Sequence, residues 1–173
     1  MSDKRPIGFM DSGVGGISVL REAVQLLPQE NFIYYGDSAN APYGTKTDAA
    51  VLKLTINAVE YLREQGCKAI VIACNTATSA AIEELRARYD FPIIGIEPAV
   101  KPAVAISRED KILVMATPMT LKRPKFADLV SKHADTCQIL PLPCPGLVEL
   151  IESGHLGDPV LMDYLQELLA PYL

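Results

Sequence analysis

Short apolar runs alternate with longer amphipathic ones along almost the whole chain, and few folds can accommodate that alternation. "PIGFM" (6–10), "NFIYYG" (31–36), "KAIVIA" (68–73), "PIIGI" (92–96), "KILVMA" (111–116) and "CQILPL" (137–142) read as strands. Helical patterns lie between them, over 16–27, 47–66 and 78–89, then near 99–107, 121–134 and 146–153, and last over 158–169 or beyond. Strands that are apolar throughout are buried on both faces, and strands separated by helices pair in parallel. The expected class is α/β: two Rossmann-like or flavodoxin-like parallel-sheet units with helices on both faces. "EPAV" and "KPAV" repeat a proline motif near 97–104, and Glu97-Pro98 makes a junction. A first α/β domain is expected over 1–97 and a second over 98–173.

Hydrophobic residues make up 49% of the 173, which is enough to bury a core and argues against disorder. The net charge of -5 is well mixed along the chain. With no basic run and no aromatic–basic stripe, nucleic acid is not an expected partner. No stretch approaches the roughly 20 apolar residues of a membrane span, and "MSDKRPIGF" lacks the apolar centre of a signal peptide. The expected location is therefore cytoplasmic, with Cys67, Cys74, Cys137 and Cys144 as thiols. Their two seven-residue offsets do not match the tight pairs of zinc sites, but either pair could bracket a short strand.

The last helix carries an apolar stripe of Val160, Leu161, Tyr164, Leu165, Leu168 and Leu169. Such a helix should feed another strand, yet "PYL" follows. The expectation is a fragment or truncated product, with the second unit and the closing part of the first incomplete. Uncovered apolar surface would then favour a homodimer or other self-association.

In open α/β sheets, ligands bind beyond the carboxyl ends of the strands. Those ends here carry Asp11-Ser12-Gly13-Val14-Gly15-Gly16, Asp37-Ser38, Pro42-Tyr43-Gly44, Cys74-Asn75-Thr76, Glu97, Thr117-Pro118-Met119-Thr120 and Cys144-Pro145-Gly146. "DSGVGG" fits neither the dinucleotide fingerprint nor the P-loop. It is either a tight turn with Asp11 as helix cap or an anion site. "APYG" reads first as an ordinary turn, and Asp37 as a cap or turn former. Cys74 stands where a strand ends and a helix begins, where free N–H groups and the helix dipole favour a thiolate. It is a reactive thiol or a buried structural one. Asn75 and Thr76 could donate to a substrate carboxylate. His133, at a helix end, and His155, in "SGHLGD", are expected to be solvated.

"IGFMDSGVGGISVL", "YYGDSANAPYG" and "AIVIACNTATSAA", in this order and spacing, resemble the glutamate racemases. "GIEPAVKPA", "VMATPMTL" and "LPCPGLVELIESG" fit the same family. The resemblance implies a two-base proton transfer at the α-carbon of glutamate with no cofactor, serving peptidoglycan synthesis. Cys74 matches the first catalytic cysteine, Asp11 the aspartate that tunes it or accepts its proton, and Glu152 an acid near the second cysteine. Ser12, Pro42, Tyr43, Gly44, Asn75 and Thr76 match positions that hold the substrate's charged groups, and Thr117 and Thr120 match a stretch lining the pocket. The family's second catalytic cysteine belongs to a Cys-Thr-His motif that this sequence lacks. Cys144 stands in "PCPG" and does not inherit the role. Racemisation by these 173 residues alone is therefore not expected. The other readings are a dicarboxylate-binding fragment without turnover, or a racemase or isomerase of a related acid such as aspartate.

Overall fold

In the computed structural model, which describes residues 3–107 and 111–173, the apolar runs form six strands in two parallel sheets. The chain divides into two compact units, Met1–Glu97 and Pro98–Leu173.

In the first unit, β1 (Ile7–Asp11), β2 (Phe32–Gly36), β3 (Ala69–Ile72) and β4 (Ile93–Gly95) lie in the order β2-β1-β3-β4. Each parallel pairing needs a crossover, which α1 (Gly16–Leu26), α2 (Asp48–Glu64) and α3 (Asn75–Arg88) supply. The chain leaves β1 to one side for β2, then returns across β1 to β3. The order therefore reverses between β1 and β3. Met10 pairs with Ile72 across that line, so Ser12 and Cys74 each come two residues beyond a paired position.

Side chains alternate between the two sheet faces. Phe9 and Val71 meet Val19, Leu20 and Ala23 of α1. On the other face Gly8 makes room for α2: a Cβ there would lie 3.0 Å from Cys67 Sγ and 3.1 Å from Leu62 Cδ1. Met10, Leu62, Ile70, Ile72 and Leu85 are fully buried, each contributing about 1.5–3 kcal/mol of transfer free energy.

The second unit holds β5 (Lys111–Ala116) and β6 (Gln138–Pro143), paired from Lys111↔Gln138 to Ala116↔Pro143. Its helices are α4 (Val100–Ile106), α5 (Pro118–Leu121), α6 (Pro124–Ser131), α7 (Leu147–Glu152) and α8 (Pro159–Leu169). Val100, Val114, Phe126 and Ile139 form its core.

Two helix expectations need correction. The pattern near 121–134 is two helices, because Pro118 and Pro124 each open one. Arg123, pushed to extended backbone by the following proline, separates them. The helix expected from 78 instead begins at Asn75, because the Cys74 side chain caps it. Among the described residues no helix is long and apolar enough to cross a membrane.

Candidate active site

The reversal between β1 and β3 brings two chain segments together. Cys74 is extended, with φ -82° and ψ 118°, and its Sγ accepts the Ala77 N–H at 3.4 Å. A sulfur thus occupies the capping place more often taken by a serine, threonine or aspartate oxygen. Ser12 Oγ stands 3.4 Å from the same sulfur. Cys74 is buried, at 8% exposure.

The sequence leaves Cys74 open as a reactive thiol or a buried one, and the burial of its sulfur weighs against ionisation. Burial is the largest influence and raises the thiol pKa, and the Asp11 carboxylate raises it further. The Ser12 hydroxyl and the N–H groups of Ala77 and Ser12 pull in the opposite direction but do not prevail. Burial and the Asp11 charge favour the protonated thiol, beside hydrogen-bond partners suited to its anion.

Asp11 is buried, and its Oδ1 accepts the Gly13 N–H at 2.7 Å. It forms the turn but caps no helix: Gly15 is the N-cap of α1, without a side-chain hydrogen bond. Gly16 lets α1 start close against the sheet. A Cβ there would fall 2.8 Å from Asp11 Cβ and 2.9 Å from Ala73 Cβ.

"APYG" is more than an exposed turn. Pro42 and Gly44 are half-buried, but Tyr43 between them is only 1% exposed. Its hydroxyl donates to Asp37 Oδ2 at 2.6 Å, and Asn40 Nδ2 donates to Asp37 Oδ1 at 2.9 Å. Asp37 in turn donates its backbone N–H to Asp11 O at 2.9 Å. Burial, the Asp37 hydrogen bond and the charges of Asp37 and Cys74 push the Tyr43 hydroxyl far above the ordinary tyrosine range, so it stays a donor. Asp37 organises this corner, a role sequence reasoning missed. Its place at the tip of β2 marks it as a turn former, but no local signal shows that it takes the Tyr43 hydroxyl.

Asn75 is exposed at the start of α3, and Thr76 beside it is buried. The remaining candidates lie in the second unit. Thr117 caps α5, accepting the Thr120 N–H at 3.3 Å, and the two hydroxyls are 3.0 Å apart. Glu152 ends α7. Cys144 is buried and donates to Leu142 O at 3.3 Å. His133 is half-buried; His155 is also half-buried, with Nδ1 2.6 Å from Asp158 Oδ2. All four cysteines are free thiols. Among the described residues no group of three or more His, Cys, Asp or Glu side chains could hold a metal ion.

With this geometry in place, comparison with known proteins is specific. The family described as Asp/Glu/Hydantoin racemase matches residues 7–170. A glutamate racemase of Clostridium novyi is 62% identical over 168 residues, which are 96% of this chain and 65% of that protein. The crystal structure of Escherichia coli glutamate racemase with L-glutamate and the activator UDP-MurNAc-ala matches 97% of this chain and 64% of its own. Its TM-score is 0.87 and its identity 36%. The Francisella tularensis glutamate racemase with D-glutamate matches at TM-score 0.82 and 31% identity, over 99% of this chain and 65% of that one. The chain thus spans about 65% of the length of the relatives it matches.

Proposed function

The chain belongs to the Asp/Glu/Hydantoin racemase family, and on that premise we propose that it carries the first proton-transfer thiol of a cofactor-independent glutamate racemase. In this reading the activity served is the interconversion of L- and D-glutamate in the cytoplasm, supplying D-glutamate for peptidoglycan, and these residues contribute the first of its two bases. The observation that carries the proposal is the Cys74 sulfur at the point of strand reversal, 3.4 Å from both Ser12 Oγ and the Ala77 N–H.

The chemistry follows from the state of that thiol. Cys74 rests protonated beside the Asp11 carboxylate. The α-ammonium of an arriving amino acid brings the positive charge that favours ionisation. The thiol proton passes to Asp11, and the thiolate then takes the α-proton from one face of glutamate. The electron pair left on the α-carbon delocalises into the α-carboxylate, where hydrogen-bond donors stabilise it. Ser12, Tyr43, Asn75 and Thr76 are assigned as side-chain partners of the substrate's charged groups, with the backbone around Pro42 and Gly44 shaping the site. Thr117 and Thr120 are assigned to substrate binding, and Glu152 to the acid near the second thiol, by resemblance.

A second thiol returns a proton from the opposite face. None of the four cysteines precedes Thr-His, the motif implied for that base, so the 173 residues supply the first base only. Self-association is part of the same proposal: Ile17, Val24 and Leu26 are exposed along α1. Light scattering giving a strict monomer would count against it.

Deuterium incorporation from heavy water separates the readings. Exchange at the α-carbon of glutamate supports this one. Exchange confined to aspartate identifies the related-acid racemase, and binding of either acid without exchange identifies a dicarboxylate-binding fragment.

A further inference from the structure

The loop after β1 carries Ser12, whose hydroxyl reaches Cys74 Sγ, and β2 meets that loop at Gly13. Tyr34 donates its hydroxyl to Gly13 O at 2.8 Å. Gly36, two residues on, lies against the same carbonyl: a Cβ there would be 2.9 Å from Gly13 O. On the other side of the loop, the Gly13 N–H is tied to Asp11 Oδ1 at 2.7 Å. Gly13 is thus fixed at both its N–H and its carbonyl, and Ser12 precedes it directly.

We propose that Tyr34 is a positioning residue for the Cys74 thiol: by holding Gly13 O it keeps Ser12 Oγ within hydrogen-bond reach of Cys74 Sγ. Tyr34 itself packs against the cluster of Phe9, Val71 and Ala73, as Val19 and Leu20 of α1 do. Its ring is anchored in that cluster while its hydroxyl reaches the Gly13 carbonyl, so its effect on Cys74 runs through Ser12. The inference rests on Cys74 as the working thiol, but its test needs no substrate.

The test is the rate of Cys74 alkylation by iodoacetamide against pH, followed by peptide mass spectrometry on the full chain. Ser12 favours the anion of Cys74, so loosening it moves the profile to higher pH. Tyr34→Phe keeps the ring and should lower the alkylation rate near pH 8 by about three- to tenfold, the worth of one hydrogen bond. On a Ser12→Ala background the same substitution should change nothing further. Gly36→Ala keeps the Tyr34 hydroxyl but crowds both ends of its bond, since the added Cβ would lie 2.9 Å from Gly13 O and 3.1 Å from Tyr34 Cε1. It should shift the profile in the same direction, and it decides the matter if Tyr34→Phe does not fold. An unchanged profile in the folded variants, or a Tyr34→Phe effect that persists in full on Ser12→Ala, overturns the proposal. Failure of glutamate exchange with these shifts intact would instead count against the racemase reading alone.

Discussion

The Tyr43 hydroxyl sits 2.6 Å from Asp37 Oδ2, a hydrogen bond inside the protein that joins the 3₁₀ turn at Tyr43–Thr45 to the tip of β2. Both partners are buried. Removing the hydroxyl leaves a buried carboxylate short of a donor, which costs more than the bond is worth in water. Tyr43→Phe should destabilise the first unit by about 1–3 kcal/mol. Asn40→Ala, which removes the partly buried donor to the other oxygen, should cost only about 0.5–1.5 kcal/mol. Urea midpoints rank the two, and the reverse order would refute the assignment.

Gly16 and Gly15 make a controlled pair. A Cβ on Gly16 would strike Asp11 Cβ and Ala73 Cβ at 2.8 and 2.9 Å, both short stiff side chains next to backbone, whereas Gly15 has nothing within 4 Å. Gly16→Ala should cost about 1–3 kcal/mol from overpacking, more than the roughly 1 kcal/mol that alanine gains over glycine in a helix. Gly15→Ala should be neutral or slightly stabilising. Denaturant unfolding in which both substitutions behave alike would show that α1 does not sit against the sheet as described.

The raised Cys74 thiol has a consequence for stability. A group that binds its proton more tightly when folded contributes stability that is fully present below its unfolded pKa, about 8.5 for cysteine. That contribution is lost as pH rises through the folded pKa, because the unfolded chain gives up the proton first. Burial raises Cys67 and Cys144 as well, so only a comparison isolates Cys74. Urea midpoints measured upward from pH 7 should fall more steeply for the natural sequence than for Cys74→Ser. Parallel slopes would mean that Cys74 ionises normally.

If, as proposed, these residues supply the first base alone, the 173-residue chain should leave the circular dichroism of L-glutamate unchanged over hours. Decay of the signal to zero would show that a second proton donor operates within these residues.

Much of this was legible before any coordinates. Continuous apolar runs reveal the parallel strands: "IVI" and "GFM" are buried as expected, whereas "KILVMA" forms its strand with Lys111 and Met115 exposed and only Val114 buried. Once the strands are placed, the rule that ligands gather beyond their carboxyl ends points to Cys74 and Asp11. What escaped was tertiary. The apolar pattern places a helix from 78, and cysteine is not among the preferred caps, so no local signal moves the start of α3 back to Asn75. The dipole rule sees the start of a helix but not the burial or the nearby Asp11 that outweigh it. Asp37 and Tyr43 are six residues apart, and nothing local shows that the turn between them folds the ring inward onto the carboxylate.

The most direct test of Cys74 as the base is proton NMR of the glutamate α-hydrogen in heavy water, with the natural sequence and Cys74→Ser side by side. The account predicts loss of the α-proton signal with the natural sequence and its persistence with Cys74→Ser. Equal exchange by both chains would contradict it.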